Sequence, residues 1–134
     1  MPIHATGSFE WKDYREQPYS ESDQGLKLTC SSVTNHYRGD MEGTGTQEYL
    51  TVYRDGRPIS VTGLEHFVGR VGNHLGSFVL QGSATMEGAV LKATWFVVPG
   101  SGTEDLTKVR GEGSYVYKHG EPQTPFRFDY DIDA

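Results

Sequence analysis

Two glutamates, Glu48 and Glu65, are the residues of this sequence best suited to acid–base chemistry. Hairpin registers counted from the turn residues place them diagonally adjacent on the inner face of a β-barrel. Two carboxylates in apolar surroundings cannot both ionise at low cost, so one of them would keep a proton near neutral pH. We therefore predict Glu48 and Glu65 as catalytic residues, acting as general acid or base. The alternative is that they lie at a polar rim, or pair with Lys27 or Arg54, for structural reasons.

Aromatic side chains form the second group with chemical potential. Tyr115, Tyr117 and Tyr130 could offer hydroxyl groups to a bound carbonyl, although buried tyrosines more often fill a core. The residues predicted to face inward and line a ligand cavity are Trp11, Phe67, Phe78, Leu80, Trp95, Tyr115, Phe126, Phe128 and Tyr130. Core packing is the alternative for this set as well.

Other kinds of site have little support. The five histidines lack metal-ligand spacing, and the single cysteine, Cys30, excludes a multi-thiolate zinc centre, so we predict no metal site. Neither Cys30 nor Ser101 has a nearby base in the sequence to activate it as a nucleophile. Gly43-Thr44-Gly45 lies inside a strand-like run, unlike a phosphate-binding loop. No cofactor is therefore predicted.

Length and charge narrow the class of protein. A chain of 134 residues suits one domain, here spanning 1–134. The net charge of −6 repels phosphate groups and argues against nucleic acid or an anionic membrane as the main partner. The first residues lack the pattern of a signal peptide, and the apolar runs are far shorter than a membrane span. We therefore expect a soluble cytoplasmic protein.

Regular turn signals predict the elements that hold these residues. Asp55-Gly56 is a strong two-residue hairpin signal; Gly39-Asp40, Gly72-Asn73 and Glu87-Gly88 are weaker ones. Short links make an up-and-down meander, and closing it into a barrel removes its exposed edges. The predicted strands are Ile3–Asp13, Leu26–Arg38, Met41–Arg54, Pro58–Val71, Gly76–Thr85, Ala89–Val98, Gly111–Lys118 and Thr124–Asp133. The fold class is thus all-β, a single closed antiparallel barrel of about eight strands.

Hydrophobic alternation and the turns together set the inner face. Phe126, Phe128, Tyr130 and Ile132 alternate with charged residues, so they face the core. Two-residue loops then carry this assignment around the barrel. The predicted cross-strand pairs are Trp95 with Leu80, Phe78 with Phe67, Leu50 with Val61, Glu48 with Gly63 and Thr46 with Glu65. A single bulge would reverse one of these assignments.

Two stretches interrupt the meander. Tyr14–Gly25 is predicted to be a polar, acidic loop with little to bury. In Pro99–Arg110, Thr103 could cap one helical turn that carries Glu104 and Asp105 near its positive end.

Seven segments spread along the chain form a recognisable set. They are His-Ala-Thr-Gly-Ser-Phe-Glu at 4–10, Gly-Thr-Gly-Thr-Gln-Glu-Tyr-Leu at 43–50, Gly-Leu-Glu at 63–65, Gly-Ser-Phe-Val-Leu-Gln at 76–81, Ala-Thr-Trp at 93–95, Val-Val-Pro-Gly-Ser-Gly-Thr at 97–103 and Arg-Gly-Glu-Gly at 110–113. Together they resemble a bacterial family of unknown function that has the allene oxide cyclase-like barrel fold. The resemblance implies an eight-stranded meander barrel. Plant allene oxide cyclases and dirigent proteins, which share the broader fold, are cofactor-free oligomers that steer reactive hydrophobic molecules. No motif here transfers their catalytic residues.

The sequence is compatible with three functions. The barrel could be a cofactor-independent cyclase or isomerase acting on a small hydrophobic substrate, with Glu48 or Glu65 moving a proton. It could instead bind a small apolar molecule without catalysis, or it could be a structural barrel with a filled core. An outward-facing apolar patch of Leu64, Val68, Val79, Phe96 and Val98 also predicts a homo-oligomer, a dimer or larger.

Overall fold

Eight antiparallel strands form a closed barrel in the computed structural model, which describes residues 2–132. The strands are β1 (Ile3–Glu21), β2 (Leu26–Gly39), β3 (Met41–Arg54), β4 (Arg57–Val71), β5 (His74–Glu87), β6 (Val90–Val97), β7 (Arg110–Lys118) and β8 (Thr124–Asp131). Each strand pairs with the next, and β1 closes the barrel against β8. The predicted fold class is therefore confirmed. Within residues 2–132, no helix combines the length and apolar character that crossing a bilayer requires.

Alternation along the strands decides which side chains enter the barrel. On β8, Thr124, Phe126, Phe128 and Tyr130 are buried, whereas Arg127 between them is exposed. The same period of two holds on β6, where Ala93, Trp95 and Val97 are buried. The inner face predicted for these strands is confirmed.

The turn residues predict the register of the β4–β5 hairpin correctly, but not that of the β5–β6 hairpin. Phe67 pairs with Phe78 across β4 and β5, as expected for a Gly72-Asn73 loop. Between β5 and β6 the two-residue loop is Gly88-Ala89 instead of Glu87-Gly88, so Leu80 pairs with Val97 and not with Trp95. A slip of two residues keeps every side chain on its face, because strand side chains alternate with a period of two.

The hairpin between β3 and β4 contains a bulge that reverses the predicted faces. Tyr53 pairs with Pro58, but Val52 pairs with Ser60, which leaves one residue of β4 unpaired. Pro58 has no amide hydrogen to give to the ladder, and the pairing breaks beside it. As a result Glu65 lies opposite Gln47, and the prediction that Glu48 faces inward is wrong.

Residues 14–21 belong to β1, so the loop predicted at Tyr14–Gly25 is wrong for most of its length. The strand bends at Asp13, whose φ of 58° lies in the left-handed region, and the register to β2 shifts between Lys12 and Arg15. Pairing then continues to Glu21 because β2 is long enough to offer hydrogen-bonding partners. This outer half of β1 pairs with β2 alone and extends past the end of β8.

One end of the barrel is closed by the segment between β6 and β7. Glu104–Leu106 form a single 3-10 turn there, and Leu106 and Val109 are buried in the core. Thr103 precedes the turn as predicted, but its hydroxyl makes no capping bond. It accepts instead from the backbone N–H of Ser77, at 3.0 Å, which ties the segment to β5.

Aromatic rings fill the barrel next to this closed end. Phe128 is fully buried, and its ring centroid lies 6.0 Å from Phe78, 5.0 Å from Trp95 and 5.1 Å from Tyr130. Phe67 packs against Phe78 at 5.1 Å. These contacts use up the interior in this half, so any space for a ligand must lie towards the opposite end.

Candidate functional site

A cavity of about 420 Å³ opens at the end of the barrel opposite the 3-10 turn. We call it the cup. Its wall comes from β1, β2, β3, β4, β6 and β7 together with the turn after β7. The lining residues are Phe9, Trp11, Tyr14, Val33, Asn35, Gln47, Tyr49, Val61, Leu91, Tyr115, Tyr117 and His119. Most of the wall is aromatic or aliphatic, and none of the lining residues in the described part of the chain is a lysine, arginine, aspartate or glutamate.

The residues predicted to bind a ligand divide between the cup and the core. Trp11 and Tyr115 line the cup. Trp11 lies at its mouth, 48% exposed, with its ring 6.0 Å from that of Tyr14. Leu80 and Trp95 border a smaller void behind the cup. The remaining five belong to the buried core: Phe67, Phe78, Phe126, Phe128 and Tyr130.

Glu65 lies below the floor of the cup and is only 8% exposed. Its Oε2 accepts hydrogen bonds from the Tyr37 hydroxyl at 2.6 Å and from Asn35 Nδ2 at 3.1 Å. Asn35 Nδ2 also donates to Gln47 Oε1 at 2.9 Å, and Asn35 and Gln47 both reach the cup. A chain of polar groups therefore connects the buried carboxyl to the floor.

Burial controls the protonation of this pair. Loss of water raises the pKa of Glu65 above its ordinary 4.5, and the hydrogen bonds from Tyr37 and Asn35 oppose the rise. Burial, together with the charge of Glu65, raises the pKa of Tyr37 well above 10.0. Tyr37 is thus a neutral hydrogen-bond donor, and Glu65 is a carboxyl group that gains a proton more readily than an exposed glutamate.

A void of about 30 Å³ adjoins the cup and is lined in part by Glu65. The void and the cup share four lining residues, namely Gln47, Tyr49, Val61 and Tyr115. This volume suits one water molecule or a group of similar size. A small polar group could therefore stand between a molecule in the cup and the Glu65 carboxyl.

Glu48 takes no part in this site. It is exposed on the outer face, where it borders a surface groove with Leu50 and Leu64. The predicted pairing of two inner carboxylates is therefore wrong, and the one-residue bulge in β4 is the cause.

A second carboxylate that the sequence reasoning missed stands on the outer half of β1. Glu16 Oε2 accepts from the Tyr53 hydroxyl at 2.5 Å and from Thr29 Oγ1 at 2.7 Å. The bond from Tyr53 is the main reason that the pKa of Glu16 lies below its ordinary value. No signal pointed to this residue, because its segment reads as a loop in the sequence.

Gly45 creates the space that the Glu65 carboxyl occupies. A Cβ atom at this position would overlap Glu65 Oε2, although the backbone of Gly45 is not in the left-handed region. We expect Gly45→Ala to lower the free energy of unfolding by about 1–3 kcal/mol, the usual cost of overpacking. Urea unfolding followed by circular dichroism measures this change.

The control for Gly45→Ala is the same substitution in a Glu65→Ala background. Because the overlapping atoms are then absent, the alanine should cost clearly less there than in the wild-type chain. Equal costs in both backgrounds would show that Glu65 does not fill the space above Gly45.

Glu65→Gln tests the protonation of the buried carboxyl. Since the pKa of Glu65 is raised on folding, its stabilising contribution is fully present below the unfolded value of about 4.5 and is lost as the pH rises through the folded value. Glutamine can still accept from Tyr37 and Asn35. We therefore expect Glu65→Gln to melt above the wild type at pH 8, and the gap to shrink towards pH 4.5. A gap that widens as the pH falls would contradict the raised pKa.

Across residues 2–132, no three or more histidine, cysteine, aspartate or glutamate side chains come together in a way that could hold an ion. The site therefore combines an apolar, largely aromatic cup with the buried carboxyl group of Glu65 below its floor.

By its fold, this chain is a closed eight-stranded β-barrel with a cup at one end. Residues 5–130 match the model of a family described as "Protein of unknown function (DUF3224)", and the chain belongs to this family. A crystal structure of a DUF3224 protein of unknown function from Shewanella oneidensis MR-1 superposes with a TM-score of 0.80. It is 23% identical, and the match covers 100% of both chains, which establishes the shared fold. No curated protein matches the chain. Neither description names an allene oxide cyclase-like fold, so that part of the resemblance stays an expectation.

Proposed function

We propose that this protein binds a small, largely apolar molecule in the cup. The observation that carries the proposal is the cup itself, about 420 Å³ of space with a mainly aromatic wall. Ligand pockets commonly run from about 300 to 1,000 Å³ and combine apolar walls with a few polar groups. Asn35 and Gln47 supply such polar groups at the floor.

The cup also argues against a purely structural barrel. The closed half shows that this chain can fill its interior with rings, as Phe67, Phe78 and Phe128 do. The open half keeps aromatic side chains around empty space instead. An exposed apolar concavity has a cost in water unless a ligand covers it.

A neutral apolar dye tests binding directly. N-phenyl-1-naphthylamine should fluoresce more strongly on entering the cup, and it should raise the melting temperature as its concentration increases. A dye that neither changes its emission nor stabilises the protein at high micromolar concentration would count against the proposal.

Proton transfer is a second candidate function, favoured by the raised pKa of Glu65 and the void beside it. In a cofactor-independent isomerase, the Glu65 carboxylate would take a proton from a substrate carbon and return it elsewhere. Binding remains the first candidate because Asn35 and Gln47 stand between Glu65 and the cup. A substrate would have to reach Glu65 through the void.

Hydrogen exchange separates the two candidates. The ketone 2-tetralone, incubated with the protein in deuterium oxide, gains mass if a carboxylate removes its acidic C–H protons and a deuteron is returned. Exchange above the uncatalysed background that disappears in Glu65→Gln would support catalysis. Background exchange alone, with 2-tetralone bound, would leave binding as the function.

The outer apolar patch supports a homo-oligomer. Leu64 and Val68 are each 53% exposed and Phe96 is 44% exposed, whereas Val79 and Val98 are half-buried. We expect a dimer or larger by light scattering, and Leu64→Lys with Val68→Lys should shift it towards the monomer. A wild-type protein that stays monomeric at micromolar concentration would refute this part of the proposal.

Partners of other classes have no part in the proposal. The net charge of −6 disfavours nucleic acid and anionic membrane surfaces. We place the protein in the cytoplasm, where the exposed thiol of Cys30 would stay reduced.

A further inference from the structure

The void behind the cup indicates what polar group the ligand carries. We propose that the ligand is a small apolar molecule with one primary ammonium group, which enters the void and binds Glu65 while the apolar body occupies the cup. This inference rests on the proposed binding function and specifies its ligand class.

The shape of the space supports a ligand with a narrow polar tip. The void holds about 30 Å³ and the cup about 420 Å³, and Gln47, Tyr49, Val61 and Tyr115 border both. An ammonium group is close in size to a water molecule and fits such a void, whereas a ring does not. A ring system fits the cup.

Glu65 has a free acceptor for this group. Both hydrogen bonds that it accepts fall on Oε2, from Tyr37 and Asn35. Among residues 2–132, no hydrogen bond to Oε1 is present. Glu65 is 8% exposed, and Oε1 is not one of the fully buried, unpartnered side-chain atoms, so a donor can reach it. A carboxylate has about four acceptor positions, so this unused oxygen can accept from a further donor. Gln47 Oε1, which accepts once from Asn35, has a second lone pair for the same ammonium.

Charge favours an ammonium over other polar groups. Among residues 2–132, no lysine or arginine lines the cup or the void, and His119 is the one basic side chain in the wall of the cup. A carboxylate ligand would stand next to Glu65 without a cation to separate them. An ammonium instead offsets the cost of burying an ionised Glu65. Tyr49 and Tyr115 line both the void and the cup, and an aromatic ring attracts a cation that meets its face.

Three probes with the same ring and different tips test the inference by calorimetry at pH 7. They are tryptamine, which carries an ammonium, tryptophol, which carries a hydroxyl, and indole-3-propionate, which carries a carboxylate. We expect tryptamine to bind at least about tenfold more tightly than tryptophol, and indole-3-propionate to bind most weakly. Glu65→Gln should remove the preference for tryptamine and leave the affinity for tryptophol within about twofold.

Glu48→Gln is the matched control, because it removes the same charge from the outer face. It should keep the preference for tryptamine. A preference lost equally in Glu48→Gln and Glu65→Gln would trace it to net charge and overturn the inference.

The outcomes keep this inference separate from the proposed function. Equal affinities for the three probes in the wild type would overturn the ammonium inference while leaving binding intact. Binding of N-phenyl-1-naphthylamine without binding of any indole probe would do the same. Failure of all four molecules to bind would overturn both.

Discussion

Val61→Trp is expected to lower the affinity for N-phenyl-1-naphthylamine by at least about 100-fold. Val61 lies on the inner face of β4 and lines both the cup and the void behind it. An indole there would occupy the space that a ligand needs, and the wall opposite, formed by other strands of a closed barrel, has little freedom to retreat. Fluorescence titration of Val61→Trp against the wild type measures the loss.

Val68→Trp is the control for this experiment. Val68 lies on the same strand, but it is 53% exposed on the outer face. The control should bind the dye within about twofold of the wild type, because the cup is unchanged. Equal losses in both variants, or no loss in Val61→Trp, would mean that the dye binds outside the cup. Melting temperatures of the two variants show whether either has lost its fold.

The barrel itself was predictable because turn chemistry and strand alternation agree. Asp55-Gly56 and Gly72-Asn73 both lie at the tips of hairpins, and Phe67 pairs with Phe78 as counted from the second of them. The loop between β5 and β6 lies one residue later than its turn signal predicts, which moves the pairing by two residues and leaves the faces correct. Face assignments survive such an error because strand side chains alternate with a period of two.

A one-residue bulge, in contrast, moves every side chain beyond it to the other face of the strand. This is why the predicted pair of inner carboxylates does not form. Glu65 kept its inward position because its register follows from the β4–β5 hairpin. The inward position predicted for Glu48 depends on the β3–β4 hairpin. There Val52 pairs with Ser60, so every earlier residue of β3 lies on the face opposite to the predicted one. Pro58 indicates this bulge in the sequence, because proline within a strand often lies at a bulge or in an edge strand.

The partners of Glu65 were beyond sequence reasoning for a different reason. Tyr37 and Asn35 come from β2, where the buried positions also include Thr29, Ser31 and Val33. Buried polar residues weaken the hydrophobic alternation from which an inner face is predicted. The role of Gly45 depends on the Glu65 side chain lying over it, which only the three-dimensional register reveals.

The outer half of β1 is a strand that amino-acid composition does not predict. Residues 14–21 are polar and exposed, so nothing in them indicates a strand. They are ordered into the sheet because β2 continues beside them and offers backbone partners from Ser32 to Lys27. This extension supplies Tyr14 to the cup, so the site depends on an element that alternation could not predict.

Phe128→Ala should cost about 3–5 kcal/mol of unfolding free energy, the usual loss for a large aromatic side chain in a core. Phe128 is fully buried and contacts Phe78, Trp95 and Tyr130 in the closed half. Because small domains are stable by about 5–15 kcal/mol in total, this single change removes a large part of the margin. Urea unfolding should show a lower midpoint with an unchanged slope.

Phe96→Ala makes the same change on the outer face, where Phe96 is 44% exposed. Phe96→Ala should lower the free energy of unfolding by less than about 1 kcal/mol. Unfolding at two protein concentrations would reveal any contribution of Phe96 to a contact between copies of the chain.

The Phe128→Ala protein, kept below its melting temperature, should still bind N-phenyl-1-naphthylamine within about twofold of the wild type. Retained binding would establish that the aromatic half stabilises the barrel while the open half holds the ligand. A parallel loss of stability and binding would mean instead that the two halves are one cooperative unit, with the cup shaped by the packing beneath it.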